Sequence, residues 1–188
     1  MILYIDSCVR HDSRTQYLVS VLLKELNGDV HHLHLEDIDF GVSNEAFLDQ
    51  REKLINEGAF DHNMFAMARQ FADADIIVIS APYWDLSFPA TLKQYFEKIT
   101  VNGITFKYTP EGIPTGLCKA QRLYYVTTAG GYYAPDDYGY GYIQALSQGY
   151  YGINDFRLIK AVGLDIEGAD IDEILHSVEE KIKAMALE

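Results

Sequence analysis

Hydroxyl and guanidinium side chains are grouped near the start of this chain. Ser7 is followed six residues later by Ser13-Arg14-Thr15, where a helical pattern begins. Free N–H groups and the positive end of a helix dipole favour a phosphate at such a point, and hydroxyls and a guanidinium add donors. No glycine-rich fingerprint supports a dinucleotide turn or an NTPase phosphate loop. Plain capping of the helix by Ser13, with Gln16 completing a capping box, is the alternative interpretation.

A second group, residues 82–87, has the sequence Pro-Tyr-Trp-Asp-Leu-Ser and holds the only Trp of the chain. Its backbone amides could meet the polar edge of a heterocycle, while Tyr83, Trp84 and Leu86 could cover the face of that heterocycle. The alternative is that Trp84 and Leu86 are core residues.

A third group is Thr128-Ala129-Gly130-Gly131. Two glycines in succession indicate that the backbone approaches something closely. A tight turn without a ligand is the alternative interpretation.

Each group follows a predicted strand. Residues 2–6, 75–80 and 123–128 are short apolar runs without strict alternation, typical of strands buried on both faces. Residues 29–35 and 156–162 are predicted as further strands. Helices are predicted from Ser13 to about Leu26, once or twice within residues 43–73, from Pro89 to Ile99, around residues 142–148 and from Asp170 onward. Within residues 43–73, Gly58 is the expected break and Asp61 the expected cap of the second helix. The acids near the last helix, Asp165, Glu167, Asp170 and Asp172, are expected to cap and solvate it. Residues 103–121 are rich in Gly and Pro and predict a short extended piece with a surface excursion.

This alternation predicts an α/β fold, a three-layer sandwich around a five-stranded parallel sheet of order 2-1-3-4-5. In that order the loops after strands one, three and four converge on one edge, where open α/β sheets bind ligands. The length of 188 residues favours one domain, residues 1–188.

The bulk composition narrows the possible partners. A net charge of −13 and a pI near 4.7 argue against nucleic acid and against an anionic membrane surface. The two cysteines, Cys8 and Cys118, show no metal or disulfide spacing, which suits a reducing cytoplasm. No cleavable leader and no apolar run of membrane length are visible. We therefore expect a globular, cytoplasmic protein.

Three histidines lie on a predicted edge strand, where polar residues are expected. His32 and His34 share a face and His31 lies on the other, but no Cys or carboxylate is spaced to complete a metal site, so no metal is expected. Cys8 lies in the first loop, where a helix N-terminus could lower its pKa. A passive role for Cys8 is nevertheless the prediction.

Together the three loops resemble those of the FMN-dependent azoreductases and NAD(P)H:quinone reductases of the flavodoxin-like superfamily. Residues 81–117 are similar throughout to the strand-three loop, the helix and the G-x-T-F-x-Y excursion of that family. The spacing from Ser7 to Thr15 resembles its phosphate loop, and residues 128–131 resemble its Ser-x-Gly-Gly turn. The similarity covers nearly the whole chain.

The resemblance implies a homodimer with FMN, in preference to FAD, in a cleft between subunits. It implies ping-pong hydride transfer from NAD(P)H to quinones, azo compounds or similar flat acceptors. By the same resemblance Ser7, Ser13, Arg14 and Thr15 would hold the phosphate. Pro82, Tyr83, Trp84, Asp85 and Leu86 would contact the isoalloxazine ring, and Thr128, Gly130 and Gly131 its pyrimidine end.

The chain departs from the family at two places. The family usually has Asn where this chain has Asp85; an ionised carboxylate cannot donate a hydrogen bond and disfavours a nearby negative charge. Asp85 is therefore expected to lower the flavin potential or to point away. The quinone-reductase branch has a His just after the Gly-Gly turn, where this chain has Tyr132 and Tyr133. Either phenol could donate to a developing oxyanion; solvent is the alternative proton source.

Two other functions fit the same topology. A flavodoxin-type electron carrier would bind FMN without oxidising nucleotides, but residues 103–117 and the Tyr-rich residues 132–151 exceed what a minimal carrier needs. A phospho-receiver would need an Asp at the end of strand three. That strand ends in Ser80-Ala81-Pro82, so this alternative is set aside.

Overall fold

The structure is a computed structural model that describes residues 1–186. The strands are β1 (Ile2–Asp6), β2 (Val30–His34), β3 (Ile76–Ser80), β4 (Phe106–Tyr108), β5 (Pro114–Gly116), β6 (Arg122–Thr128) and β7 (Asp155–Ala161). The α-helices are α1 (Arg14–Leu26), α2 (Glu45–Asn56), α3 (Ala66–Asp73), α4 (Ala90–Ile99), α5 (Tyr140–Leu146) and α6 (Ile171–Ala186). Short 3-10 turns occupy Leu35–Asp37 and Asn63–Phe65, and a π-helical turn, Ser147–Tyr151, extends α5.

Five parallel strands form the main sheet, in the order β2-β1-β3-β6-β7. The predicted order 2-1-3-4-5 therefore needs a correction. It left out an antiparallel hairpin, β4–β5, which forms a separate two-stranded sheet within the predicted surface excursion. Because the hairpin lies between β3 and β6 in the chain, the last two strands of the main sheet are the sixth and seventh.

Both faces of the sheet are covered, which explains the uninterrupted apolar runs. Successive side chains of a strand point to opposite faces, so Leu3 and Ile5 pack in one apolar cluster, whereas Ile2 and Tyr4 pack in another. The first cluster includes residues of α3, α4 and α5, and the second includes residues of α1 and α6. None of the described helices is long and apolar enough to cross a membrane.

Helix α1 starts and stops at the predicted residues, with one difference at its start. Ser13 caps it by accepting from the backbone N–H of Gln16 at 3.3 Å, and Asn27 ends it in the left-handed conformation at φ 44°. The predicted capping box is only half formed. The Gln16 side chain donates to Asp6 Oδ2 at 2.6 Å, because that carboxylate lies buried just behind the helix start.

The region between β2 and β3 holds two helices, with Gly58 in the left-handed conformation at the break, as predicted. The predicted cap at Asp61 is wrong. His62 caps the 3-10 turn before α3, because its Nδ1 accepts from the Met64 backbone N–H at 3.1 Å. At the other end of the chain, Asp170 caps α6 as predicted by accepting from the Glu173 backbone N–H at 3.0 Å.

Candidate functional site

A cavity of about 320 Å³ lies where the loops after β1, β3 and β6 meet. Many of the predicted site residues line it, namely Ser13, Arg14, Thr15, Pro82, Tyr83, Trp84, Thr128 and Gly130. Ser7, Asp85, Leu86 and Gly131 were predicted as well, but the structure does not bring them to the lining. The loop after β7, with Leu164 and Asp165, completes the wall.

The loop between β1 and α1 presents a run of unpaired backbone amides. Within the described chain, the N–H groups of residues 9–15 donate to no protein acceptor, although Ser7, Cys8 and Gln16 on either side are paired. Such a run at the N-terminus of a 13-residue helix suits an anion, because unpaired N–H groups and the positive end of the helix dipole both favour negative charge. This geometry fits the predicted phosphate site.

Ser7 itself does not take part in this run. Its side chain is buried, and its hydroxyl donates to the carbonyl oxygen of Ser80 at 2.8 Å. Its backbone N–H donates to the same carbonyl at 3.0 Å. The position that the resemblance gives to a phosphate ligand therefore fastens the loop to β3.

Arg14 is held at the rim of the cavity by the loop after β7. Its Nη1 donates to the Leu164 carbonyl at 3.0 Å and to Asp165 Oδ1 at 2.8 Å. Sequence reasoning assigned Asp165 to helix capping and missed this contact. Its place just after the fifth strand of the parallel sheet was the available signal, because that strand also ends at the ligand-binding edge.

Two threonines join the first and third loops. Thr15 is buried, and its Oγ1 lies 2.7 Å from Oγ1 of Thr128. Gly130 follows on the same loop. A Cβ atom there would overlap the side chain of Asp165. The absence of a side chain at Gly130 therefore lets the loop after β7 pack closely against the loop after β6. At Gly131 a Cβ would meet no such overlap.

The loop after β3 contains a two-residue turn. Trp84 and Ser87 exchange backbone hydrogen bonds of 3.1 and 2.7 Å, and the two residues between them, Asp85 and Leu86, have positive φ of 50° and 69°. Asp tolerates this conformation, but Leu is unfavourable there by roughly 1–2 kcal/mol. Strain of this kind is concentrated at functional sites.

The turn determines how its residues can be used. Within the described chain, the backbone N–H groups of Asp85 and Leu86 have no acceptor. Trp84 lines the cavity and remains 41% exposed, so the alternative that it is a core residue is wrong. Its role as a site residue stays a prediction. Tyr83 is fixed beside it, because its hydroxyl donates to the Pro135 carbonyl at 3.2 Å and its N–H to the Thr128 carbonyl at 3.0 Å.

The two candidate proton donors lie elsewhere. The ring of Tyr132 packs on Gly163 and borders a different cavity beside Lys160 and α6. Tyr133 is 80% exposed and does not line the cavity. The structure therefore brings neither phenol to the site.

Cys8 borders the cavity, but the helix N-terminus does not lower the pKa of its thiol. Burial raises the pKa of its thiol to about 11. Burial dominates because the thiol is enclosed beneath the loop and approaches Ser80 Oγ at 3.6 Å. Cys8 is therefore a neutral thiol at physiological pH.

The histidines of β2 pair with carboxylates and form no metal site. His31 lies 3.3 Å from Asp29, His32 lies 3.2 Å from Asp6 and His34 lies 3.3 Å from Asp37. Among residues 1–186 no group of three or more His, Cys, Asp or Glu side chains is arranged to hold a metal ion.

A doubly wound parallel sheet with a loop of unpaired amides and an aromatic wall at its carboxyl edge is typical of the class of nucleotide-binding α/β proteins. Within that class, residues 1–186 match a family described by its flavodoxin-like fold, and the chain belongs to this family.

Two proteins similar to this chain are both named FMN-dependent NADH:quinone oxidoreductase. An FMN-dependent NADH:quinone oxidoreductase of Clostridium beijerinckii is 42% identical over 155 residues, which cover 82% of this chain and 77% of the relative. One from Clostridium perfringens is 35% identical over 196 residues, covering 99% of this chain and 96% of the relative. The resemblance proposed from the three loops is thereby confirmed at the level of the family.

A solved structure agrees in fold. The crystal structure of an FMN-dependent NADH-azoreductase from Bacillus anthracis in complex with FMN has a TM-score of 0.82. The match covers 99% of this chain and 97% of that chain at 24% identity. At this identity the likeness supports the shared fold.

Proposed function

We propose that this protein is an FMN-dependent NAD(P)H oxidoreductase that reduces quinones, azo compounds or similar flat acceptors. The observation that carries the proposal is the composition of one cavity. Residues 9, 10 and 12–15, whose amides are unpaired, border the same space as the aromatic residues Tyr83 and Trp84. The names of the relatives, FMN-dependent NADH:quinone oxidoreductases, support the same activity.

The residues present fit an FMN group. In this proposal the amides of residues 9–15, with Ser13, Arg14 and Thr15, hold the phosphate. Ser7 contributes by fastening the loop. The ring is assigned to Pro82, Tyr83 and Trp84, its polar edge to the free amides of Asp85 and Leu86, and its pyrimidine end to Thr128, Gly130 and Gly131.

When bound, FMN supplies the hydride chemistry, in alternating half-reactions with NAD(P)H and with the acceptor. The role of the protein chain is to bind and orient the flavin and the two substrates. Tyr83 is held at both its hydroxyl and its N–H, which keeps this side of the aromatic wall in place, and flat substrates can use one slot in turn. Since neither Tyr132 nor Tyr133 lines the cavity, we assign the proton to solvent.

Steady-state kinetics test the activity. Purified protein is expected to show a flavin absorbance spectrum after loading with FMN and to oxidise NADH or NADPH when menadione is present. Because turnover needs both half-reactions, omission of menadione is the matched control. Failure to turn over with either nucleotide, in protein that binds FMN, would contradict the enzyme and favour a flavodoxin-type electron carrier.

The enzyme is preferred over the carrier for a structural reason. The hairpin β4–β5 and the segment after β6 add side chains around the core sheet that electron transfer alone does not need. The segment is attached to the aromatic loop, since Ser87 Oγ donates to the Tyr138 carbonyl at 2.9 Å.

We further propose a homodimer with the site at the subunit interface. Large apolar side chains are exposed around the cavity loops, including Trp84, Leu86 and Tyr138. Ile113, on the hairpin, is exposed as well. Exposed apolar groups of this kind mark interaction surfaces.

Dilution tests the dimer. With FMN in excess at every concentration, activity per subunit is expected to fall in step with the dimer fraction measured by analytical ultracentrifugation. The reason is that a site completed by two subunits is lost when they separate. A monomer that retains full activity would refute this arrangement.

We also propose that residues 1–188 form one domain in a reducing cytoplasm. One apolar cluster joins Leu18, near the start of the chain, with Val178 and Ile182, near its end. Both cysteines are free.

A further inference from the structure

A fully buried carboxylate lies directly beneath the β1–α1 loop. Asp6 ends β1 with no exposed surface. Its Oδ1 accepts from Ser80 Oγ at 2.7 Å and from the Cys8 backbone N–H at 3.0 Å. Its Oδ2 accepts from Gln16 Nε2 at 2.6 Å and faces His32 Nε2 at 3.2 Å. A buried charge is tolerated when its lone pairs are satisfied in this way.

The donors around Asp6 keep it ionised. Burial on its own favours the protonated acid, but the hydrogen bonds from Ser80, Cys8 and Gln16 outweigh burial and lower the pKa of Asp6. The charge is therefore permanent under physiological conditions. It attracts donors from β3, from α1 and from the loop at once.

The backbone of Cys8 is held at both its N–H group and its carbonyl oxygen. Its N–H donates to Asp6, and its carbonyl oxygen accepts from His34 Nε2 at 3.0 Å. A carbonyl oxygen only accepts, so Nε2 carries the proton. The next residues, 9–15, have unpaired amides, so Cys8 is the last fixed point before the proposed phosphate site.

We propose that Asp6 and His34 are positioning residues that hold the β1–α1 loop in its anion-binding conformation, and that protonation of His34 strengthens FMN binding. This inference rests on the proposed function, because FMN is the ligand only if that function is correct. Neither side chain lines the cavity, so both act through the Cys8 peptide.

His34 is arranged to be a cation. While Nε2 donates to Cys8, its Nδ1 lies 3.3 Å from Asp37 Oδ2, so both ring nitrogens face acceptors. Partial burial opposes the charge, but the Cys8 carbonyl and the carboxylates of Asp6 and Asp37 raise the pKa of His34. The His32 ring, 6.1 Å away, and the neutral Cys8 thiol are the other titratable groups nearby.

The titration of His34 gives the effect of pH on FMN binding a definite direction. A pKa raised by folding gives stabilisation that is complete below the ordinary histidine value and is lost as pH rises through the folded-state value. An anion bound near Cys8 favours the cation further. The contribution of His34 to FMN affinity is therefore expected to fall as pH rises through this range.

His34→Gln is the direct test. Glutamine can donate to the Cys8 carbonyl but does not titrate. Between about pH 5 and about pH 8, the FMN dissociation constant is measured by flavin fluorescence. The phosphate of free FMN titrates in the same way in both experiments, so the difference between the two proteins isolates His34. Loss of the charge-assisted bond is expected to make the wild-type affinity fall about fivefold more than that of the variant.

His31→Gln is the matched control. His31 lies on the same strand, pairs with Asp29 and is not near Cys8, so the wild-type pH profile should persist. Identical profiles for wild type and His34→Gln would overturn the inference while leaving the proposed function standing.

A second measurement does not need FMN. In Asp6→Asn the acceptor for the Cys8 amide becomes neutral, so hydrogen exchange at Cys8 is expected to accelerate about tenfold, with core amides of β3 unchanged. Unchanged exchange at Cys8 would overturn the positioning role. If the wild type binds no FMN at any pH, the proposed function and the claim on FMN affinity both fail, and exchange decides the loop-positioning claim.

Discussion

Ser13→Ala with Arg14→Ala is expected to weaken FMN binding about thirtyfold, equivalent to about 2 kcal/mol. Hydrogen bonds to charged groups contribute about 1.5–3 kcal/mol, and Arg14 is partly exposed and shared with Asp165, which places its contribution at the lower end. Loss of the Ser13 cap further loosens the helix start that presents the amides. Isothermal titration of the apoprotein with FMN gives the dissociation constant.

Two controls separate the phosphate from other effects. Riboflavin lacks the phosphate, so its affinity should be nearly the same in the wild type and in the double variant. Lys24→Ala removes one positive charge from the last turn of the same helix, away from the cavity, and should bind FMN normally. Equal FMN affinity in the double variant and the wild type would refute the assignment of the phosphate to this loop.

Gly116→Ala is expected to destabilise the protein by about 2–4 kcal/mol, near or above the usual cost of overpacking. Gly116 ends β5 against the main chain of Tyr151 and Gly152, and a Cβ atom there would overlap that backbone. Backbone cannot rotate away as a flexible side chain can. The hairpin must therefore shift or detach, and the midpoint of urea unfolding should fall at unchanged slope.

Gly149→Ala provides the comparison. It lies in the helical turn that meets the hairpin, yet a Cβ atom there meets nothing within 4 Å. Alanine in such a position is expected to be neutral or stabilising by about 0.5–1 kcal/mol. If Gly116→Ala unfolds at the same urea concentration as wild type, the close packing of hairpin on turn is refuted.

The central strands show how much local pattern can predict. The interpretations of residues 2–6, 75–80 and 123–128 as strands agree within one residue with β1, β3 and β6. The agreement has a simple cause, since burial on both faces selects β-branched and aromatic residues at every position of a strand. The cap of α1 at Ser13 was equally visible, because capping is a contact between near neighbours.

The Trp84–Ser87 turn shows where local pattern stops. Asp85 and Leu86 lie in the loop after β3, as predicted. The Leu86 side chain was expected to cover a ring face, whereas Asp85 was expected either to affect the flavin or to point away. Positive φ at both residues turns the chain so that Trp84 borders the cavity while the amides of Asp85 and Leu86 are left free. Residue types alone do not predict such a conformation. Leu86 is especially hard to predict, because glycine is the usual residue at a position with positive φ.

The sequence by itself determined the five strands of the main sheet, the starts of α1 and α6, the edge of the sheet at which the cavity lies, and eight of the fifteen described residues that line it. These depend on burial and capping, which act within a few residues. Only the tertiary structure decided that Ser7 fastens a loop, that Asp165 holds Arg14, and that Tyr132 and Tyr133 lie away from the cavity. These outcomes depend on hydrogen bonds and packing between residues far apart in the chain, as with Arg14 and Asp165, 151 positions apart. Such partners leave no periodic signal in the sequence.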